Sequence, residues 1–341
     1  MTVSVRDVAL HAGVSVGTVS NVLNRPDSVR PATFARVSAV IAELGFVPNA
    51  AARQLRAGKS TSIALIVLDI GNPFFTDVAL GVESRAALEG MSVMLANSGD
   101  NQERENQQLD LFERQRVAGV LVVPVGDAET RLRRLRERGI PVVLVDRRSG
   151  EGSLPSVAVD DVAGGKMAAR HLLDTGRRRL VCVGGLPTIR QIVDRRAGAA
   201  QAVSEVPGAT LDIFPSNDLT LDAGMRMGED LRERVARGEI DGILAANDLV
   251  AIGIQQALMA GATPVRIPDD VGLVGYDDIQ FAAASVVPIT SVRQPREQIG
   301  ATAVELLLAE RGRASTEPPR HVVFTPELVV RASTAAATLR P

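Results

Sequence analysis

From residue 62 onward, short aliphatic runs alternate with longer segments whose apolar residues recur at helical spacing. The short runs suit strands buried on both faces, and they lie at 63–68, 93–95, 120–123, 142–145, 157–159, 180–183, 243–245 and 271–274. The segments between them predict helices at 75–88, 104–116, 130–138, 162–173, 195–206, 223–235 and 249–260. This alternation predicts α/β structure with doubly wound parallel sheets, and its length favours two lobes over one core.

The first sixty residues predict a different, all-α unit. Residues 5–24 read VRDVALHAGVSVGTVSNVLN, in which Gly13 is suited to end one helix and Ser15 to cap the next. A third helix is expected to start at Pro31 and to end at Gly45. Small and β-branched residues around a short turn are typical of a helix-turn-helix. A three-helix bundle with no role in DNA binding is the alternative.

In a helix-turn-helix, the start of the second helix enters the major groove. We therefore expect Val16, Gly17 and Asn21 to face base edges. The neighbouring polar side chains are expected to cap this helix or to hold phosphates, namely Ser15, Thr18, Arg25 and Arg30. Residues 1–60 contain seven Lys/Arg and three Asp/Glu, whereas the whole chain has a formal net charge of −2. A basic N-terminal segment on an otherwise acidic chain favours a polyanionic partner for residues 1–60.

Residues 48–60, PNAAARQLRAGKS, follow the third helix. Asn49 is suited to cap a helix of only two turns, which is marginal in water by itself. Either the segment is a plain linker, or it becomes helical when DNA and a partner chain hold it. Leu55 lies close to Arg56 in this polar stretch and suits a minor-groove wedge better than a plain linker.

Composition narrows the class of protein. A single Cys182 excludes an internal disulfide, and three scattered histidines argue against a metal site. The longest aliphatic run has six residues, and no apolar signal segment begins the chain, so we expect a cytoplasmic protein without a membrane anchor. The sequence contains no dinucleotide-binding, phosphate-loop or nucleophile-elbow motif, so an enzyme on this fold is the weaker hypothesis. A secreted solute-binding protein is the other alternative; it would share the α/β lobes but would not need the N-terminal helical unit.

Polar residues follow many of the predicted strands, where ligands bind in parallel α/β sheets. They are Asp69, Asn97, Asp146, Asp160, Asn247, Asp248, Asp277 and Asp278. Each has helix capping as an alternative role, but together they suit a polyhydroxylated ligand, because carboxylates accept hydrogen bonds from hydroxyl groups. Arg195 can add a bidentate donor.

Four segments together resemble the LacI/GalR family of bacterial transcriptional regulators: residues 5–24, the PNAAARQLR segment, AANDLVAIG and VGLVGYDD. The resemblance implies a headpiece at 1–47, a hinge helix at 48–60, a periplasmic-binding-protein-like core of two lobes at 61–332 and a tail at 333–341. It further implies lobe 1 at about 61–159 and 291–320, and lobe 2 at about 160–290 and 321–332. In the hinge it implies that Leu55 intercalates at the operator centre, that Ala52 faces the partner hinge, and that Asn49 and Arg56 lie at the DNA.

In the core, the resemblance implies an effector site that contains Phe74, Asp146, Asp160, Arg195 and Asp248. The chain departs from the family where relatives have an aromatic residue, here Leu219, and at Arg190, which either favours an anionic effector or is simply solvated. The implied partners are operator DNA, a sugar or sugar-phosphate effector with a nucleobase as the alternative, and a second copy of the chain, with a tetramer left open. No membrane, metal or cofactor is expected, and the regulator would be associated with the nucleoid.

Overall fold

The computed structural model describes residues 3–46, 60–126, 128–150, 152–311 and 317–335. The N-terminal unit consists of α1 (Val5–His11), α2 (Val16–Asn24) and α3 (Pro31–Leu44). Val8, Val19 and Val37 are fully buried at the centre of this unit. Ser15 accepts a hydrogen bond from the backbone N–H of Thr18 at 3.1 Å and caps α2 as predicted. The predicted three-helix arrangement is confirmed.

The second unit begins at Thr61 and contains two parallel-sheet lobes. The strands of the first sheet are β1 (Ser62–Val67), β2 (Ser92–Asn97), β3 (Val120–Val122), β4 (Val142–Val145), β5 (Ser156–Val159) and β11 (His321–Phe324), in the order β11-β5-β4-β3-β1-β2. The strands of the second are β6 (Arg179–Val183), β7 (Thr210–Phe214), β8 (Gly242–Ala245), β9 (Gly272–Asp277), β10 (Thr290–Arg293) and β12 (Glu327–Val329), in the order β12-β10-β9-β8-β6-β7.

The helices divide between the lobes. Lobe 1 contains α4 (Pro73–Ala87), α5 (Gln102–Arg114), α6 (Glu129–Glu137) and α12 (Arg296–Glu310). Lobe 2 contains α7 (Asp161–Asp174), α8 (Arg190–Ser204), α9 (Leu221–Ala236), α10 (Asp248–Met259) and the short α11 (Gln280–Ala283). The predicted fold, two doubly wound lobes that follow a helix-turn-helix unit in the sequence, is confirmed.

The chain crosses between the lobes three times: after β5, after β10 and between β11 and β12. The expected boundaries place residue 291 in lobe 1 and residues 321–332 in lobe 2. Instead, β10 pairs with β9 in the second sheet, and β11 pairs with β5 in the first. β11 is an edge strand whose residues alternate between exposed and partly buried, so it lacks the apolar run that marks a central strand.

Three helix pairs in the core approach each other closely at glycines. A Cβ atom on Gly198 of α8 would stand 1.9 Å from the carbonyl oxygen of Val162 on α7. In return, a Cβ atom on Gly165 of α7 would stand 1.9 Å from the carbonyl oxygen of Arg195. The same reciprocal contact joins α4 to α12 through Gly81 and Gly300, and α9 to α10 through Gly224 and Gly253. Glycine therefore sets the spacing of these helices.

Candidate functional site

The first turn of α2 presents the predicted DNA contacts. Ser15, Gly17 and Asn21 are exposed, whereas Val16 is half-buried against the small core of this unit. Thr18 is also half-buried, and its hydroxyl lies 3.0 Å from that of Ser15. The exposed edge is therefore short and polar, which suits base-edge and phosphate contacts. The remaining predicted cations, Arg25 and Arg30, are exposed. Four further predicted contacts lie outside the described residues: Asn49, Ala52, Leu55 and Arg56.

A cavity of about 430 Å³ lies between the two lobes of the core. From lobe 1 it is lined by the segments that follow β1, β2 and β4 and by the start of α4. From lobe 2 it is lined by the start of α8, the segments that follow β7 and β8, and the end of β9. The polar lining residues are Asp69, Asn72, Asp100, Asp146, Gln191, Arg195, Asn217, Asp218, Thr220, Asn247 and Asp277. This position, at the carboxyl ends of the strands, is where parallel sheets bind ligands.

Arg195 is the centre of the polar floor of the cavity. Its Nε donates to Asp161 at 2.8 Å, and its Nη1 donates to the carbonyl oxygen of Ala246 at 2.8 Å. The guanidinium carbon lies 3.5 Å from the ring centroid of Tyr276, a cation–π distance, and Nη2 is 4.0 Å from Asp277. The predicted cation therefore lines the cavity, but two of its three nitrogens already donate within the protein.

Two hydrogen-bonded contacts cross the cavity between the lobes. Gln191 on α8 donates through Nε2 to the carbonyl oxygen and Oδ2 of Asp146, at 2.7 and 3.0 Å. Asn72, the cap of α4, donates to Asp277 Oδ2 at 3.3 Å, and Gln294 donates to Asp277 Oδ1 at 2.8 Å. In each contact, a side-chain amide of one lobe donates to an aspartate at the end of a strand in the other lobe.

Burial raises the pKa of the carboxyl groups in this cluster. Burial, followed by the charge of Asp161, raises the pKa of Asp146 to about 8, although Arg195 and Gln191 oppose the shift. Burial also raises the pKa of Asp277 to about 6 and outweighs the opposing charge of Arg195. The pKa of Asp161 is raised by burial as well, against the attraction of Arg195. In all three groups the effect of burial outweighs the attraction of the guanidinium.

Asp146→Asn is expected to change how the stability of the effector-free core depends on pH. Asp146 holds its proton more tightly in the folded than in the unfolded chain, so its contribution to stability falls as the pH rises from about 4 to about 8. Asparagine has no proton to lose. The thermal midpoint of the variant should therefore match the parent near pH 4 to 5 and exceed it at about pH 9. Asp230→Asn, at an exposed position on α9, is the control; parallel pH profiles for Asp146→Asn and the parent would contradict the prediction.

Two other predicted effector residues lie at the cavity. Phe74 lines it, but the side chain is 2% exposed and packs edge-on against Phe75 with ring centroids 5.0 Å apart. Leu219 lines the opposite side and is half-buried. Among the described lining residues, only these two phenylalanines are aromatic, so stacking contributes little to binding here.

Three residues expected at the effector site lie elsewhere. Asp248 is fully buried behind Gly275 and accepts hydrogen bonds from Ile279 N–H at 2.8 Å and Ser291 Oγ at 2.7 Å. Asp160 caps α7 through Ala163 N–H at 3.1 Å. Arg190 is 62% exposed and pairs with Asp194 at 3.0 Å. The preceding residue, Asn247, is the one that reaches the cavity, because Asp248 already lies in the first turn of α10.

Asp160 and Arg190 share a second cleft of about 590 Å³. Arg148 pairs with Asp160 there at 3.3 Å, and Glu129 accepts from Gly150 N–H at 2.6 Å and Ser149 Oγ at 3.1 Å. Its charged groups are thus largely paired with one another.

No group of three or more metal-ligating side chains occurs in the described parts of the chain, and no helix described there is long and apolar enough to cross a membrane.

The geometry defines the class: a ligand-binding core of two lobes that follows a helix-turn-helix unit. Residues 4–49 match the description "Bacterial regulatory proteins, lacI family", and residues 169–334 match "Periplasmic binding protein-like domain". The chain is 34% identical to the ribose operon repressor of Halalkalibacterium halodurans over 97% of both chains. It belongs to the LacI family of bacterial regulatory proteins, and it is a DNA-binding transcriptional regulator controlled by a small molecule.

Two solved structures extend the comparison to the whole chain. A transcriptional regulator CelR–cellobiose complex matches with a TM-score of 0.69 and 32% identity, covering 97% of this chain and 99% of that one. A lac repressor dimer bound to operator and the anti-inducer ONPF matches with a TM-score of 0.81 and 25% identity, covering 98% of this chain and 99% of that one.

Proposed function

We propose that this regulator is a repressor that binds a pseudo-palindromic operator as a homodimer, and that a sugar without a phosphate group binds between the lobes and controls it. The ligand class is inferred from the charge of the cavity. Its described lining contains five aspartates and one arginine. Hydroxyl groups can donate hydrogen bonds to carboxylates, whereas a phosphate group would be repelled by them.

Two of the relatives and the cavity support this ligand class. One relative is named a ribose operon repressor, and one solved relative is a complex with cellobiose. A sugar phosphate would need the cation that the sequence suggested at Arg190, but this side chain is paired with Asp194 in the second cleft. A nucleobase would need an exposed aromatic face for stacking, and Phe74 presents little of its ring.

The proposal for DNA binding rests on the short recognition helix. One α2 helix can reach only a few base pairs, so a dimer on two half-sites supplies the remaining specificity. A dimer across a promoter represses by steric exclusion of the polymerase. Because the target is chromosomal DNA, we place the protein in the cytoplasm on the nucleoid, and we assign it no catalytic step.

The full-length protein is expected to protect two inverted half-sites in a footprint of DNA selected from a random pool. Operator affinity should fall steeply as salt rises, because two headpieces release many counterions. Asn21→Ala should weaken operator binding by roughly tenfold, in line with the loss of one bidentate base contact. Asp222→Asn, in the core, is the control. A single unrepeated half-site bound by a monomer would overturn the proposal.

A further inference from the structure

The aspartates of the cavity form two groups, and each group includes carboxylates from both lobes. Asp146 of lobe 1 lies with Asp277 of lobe 2 at the floor, beside Arg195. Asp69 and Asp100 of lobe 1 lie with Asp218 of lobe 2 in the outer part. At both levels the carboxyl groups of the two lobes therefore lie close together, which disfavours ionisation of all of them at once.

The floor group contains an unused acceptor. Gln191 donates to Oδ2 of Asp146, but Oδ1 is buried and accepts no hydrogen bond from any residue that the structure describes. Asp146 is only 4% exposed, so bulk water solvates this oxygen poorly. Both oxygens of Asp277 are already occupied, by Asn72 and Gln294.

Arg195 cannot neutralise the floor group by itself. Its Nε is bonded to Asp161, its Nη1 to a backbone carbonyl, and its nearest nitrogen to Asp277 is 4.0 Å away. Three buried carboxylates, those of Asp146, Asp161 and Asp277, thus surround one guanidinium. The floor therefore lacks a second positive charge, which would allow Asp146 to lose its proton.

The outer group shows the same imbalance. Burial, followed by the charges of Asp69 and Asp218, raises the pKa of Asp100 above its usual value. Asp218 pairs with Arg226 at 3.5 Å, and both side chains are more than 60% exposed. Asp69 accepts a hydrogen bond from Gly71 N–H at 2.9 Å. The outer aspartates therefore raise the negative potential of the whole cavity.

We propose that the effector is an amino sugar, whose protonated amine donates a hydrogen bond to the free Oδ1 of Asp146 and whose hydroxyl groups bind the remaining polar lining. This inference rests on the proposed sugar-controlled function and specifies its ligand. An ammonium group has three donors and one positive charge, so it both satisfies the free oxygen and reduces the repulsion with Asp277. A neutral hydroxyl group would satisfy the oxygen alone.

The proposal includes a proton exchange that can be measured. At neutral pH the unliganded Asp146 holds a proton, since burial and the nearby Asp161 and Asp277 raise its pKa to about 8 against Arg195 and Gln191. When the ammonium binds, the carboxyl group loses this proton to solvent and the ion pair forms. A neutral sugar leaves the proton in place, so only the amine releases protons on binding.

The test uses matched sugars with the full-length protein at neutral pH: glucosamine, galactosamine and mannosamine, each with its parent hexose, its N-acetyl form and its 6-phosphate. Affinity is measured by calorimetry in two buffers of different ionisation enthalpy, which also reports proton release. We expect at least one amine to bind at least tenfold more tightly than its parent and to release protons. The N-acetyl form, which is uncharged, should bind no better than the parent.

Two variants link the preference to the aspartates. Asp146→Asn should reduce the preference for the amine to less than about threefold and abolish proton release. Asp218→Asn, at an exposed position of the lining, removes a negative charge and should weaken binding of the amine more than binding of the parent hexose. A melting curve for each variant confirms that the chain is folded.

Each other outcome counts against the inference. If parent hexoses bind as well as the amines, or if no amine binds, the amino-sugar assignment is wrong while the proposed sugar-controlled repressor stands. If a 6-phosphate binds most tightly, both the assignment and the proposed ligand class fall. Proton release that persists in Asp146→Asn would place the charged contact at another residue.

Discussion

Arg195→Ala is expected to abolish the effector response and to destabilise the core by about 3–5 kcal/mol. The side chain is 13% exposed, and its Nε holds Asp161, which is 6% exposed, at 2.8 Å. Removal of the guanidinium leaves the carboxylate of Asp161 buried without its cation, and the pair is costly to break for that reason. The expected phenotype is a regulator with lower stability that does not respond to ligand.

The control for this prediction lies on the same helix. Arg190→Ala removes an exposed arginine whose ion pair with Asp194 is worth about 0–1 kcal/mol, so stability should change little. Urea unfolding measures the stability of both variants, and operator release in the presence of effector measures the response. Arg195→Lys keeps the charge but loses the planar fork, and we expect it to recover part of the stability. Full stability of Arg195→Ala would show that Asp161 finds another partner.

Gly198→Val is expected to cost about 3 kcal/mol or more, because α7 and α8 have no room for a side chain at their contact. A Cβ atom there would stand 1.9 Å from the carbonyl oxygen of Val162 and 2.7 Å from Lys166 N. Both atoms belong to the backbone, so no side-chain rotation relieves the clash and the helices must separate. Arg195 lies less than one turn away on α8, so the loss of spacing should also weaken ligand binding.

Ala197→Val is the matched control, since residue 197 is exposed on the same helix and the substitution changes mainly helix propensity, by well under about 1 kcal/mol. Thermal and urea unfolding of the two variants give the comparison. A Gly198→Val protein as stable as Ala197→Val would show that the helix contact adjusts without cost.

The central strands and most helices were predictable because burial leaves a simple pattern. β1, β3, β4 and β8 are almost completely buried, and each reads as an aliphatic run. β7 and β11 lie at sheet edges with mixed exposure, and neither forms such a run. The lobe boundaries near residues 291 and 321 were wrong for the same reason, since a boundary depends on which sheet an edge strand joins.

The site was predictable only in part. Strand ends pointed to Asp69, Asp146, Asn247 and Asp277 as a group, and all four line the cavity. The choice of Asp248 over its neighbour Asn247 was wrong, because one residue decides whether a side chain faces the cavity or the sheet behind it. Gln191 and Asn72 were missed, since their role comes from contact between lobes far apart in sequence. No local pattern reports such a contact.

Arg296 joins the floor of the cavity to Asp77, a residue of α4 that does not line the cavity. Its Nη1 donates to the carbonyl oxygen of Asp277 at 2.8 Å, and its Nε pairs with Asp77 on α4 at 2.9 Å. α4 is in turn fixed to α12 at Gly81 and Gly300. A ligand that shifts the backbone of Asp277 must therefore either break this link or carry α4 with it. Substitutions at Asp77 or Arg296 can therefore abolish the ligand response, although a survey of cavity-lining residues would include neither.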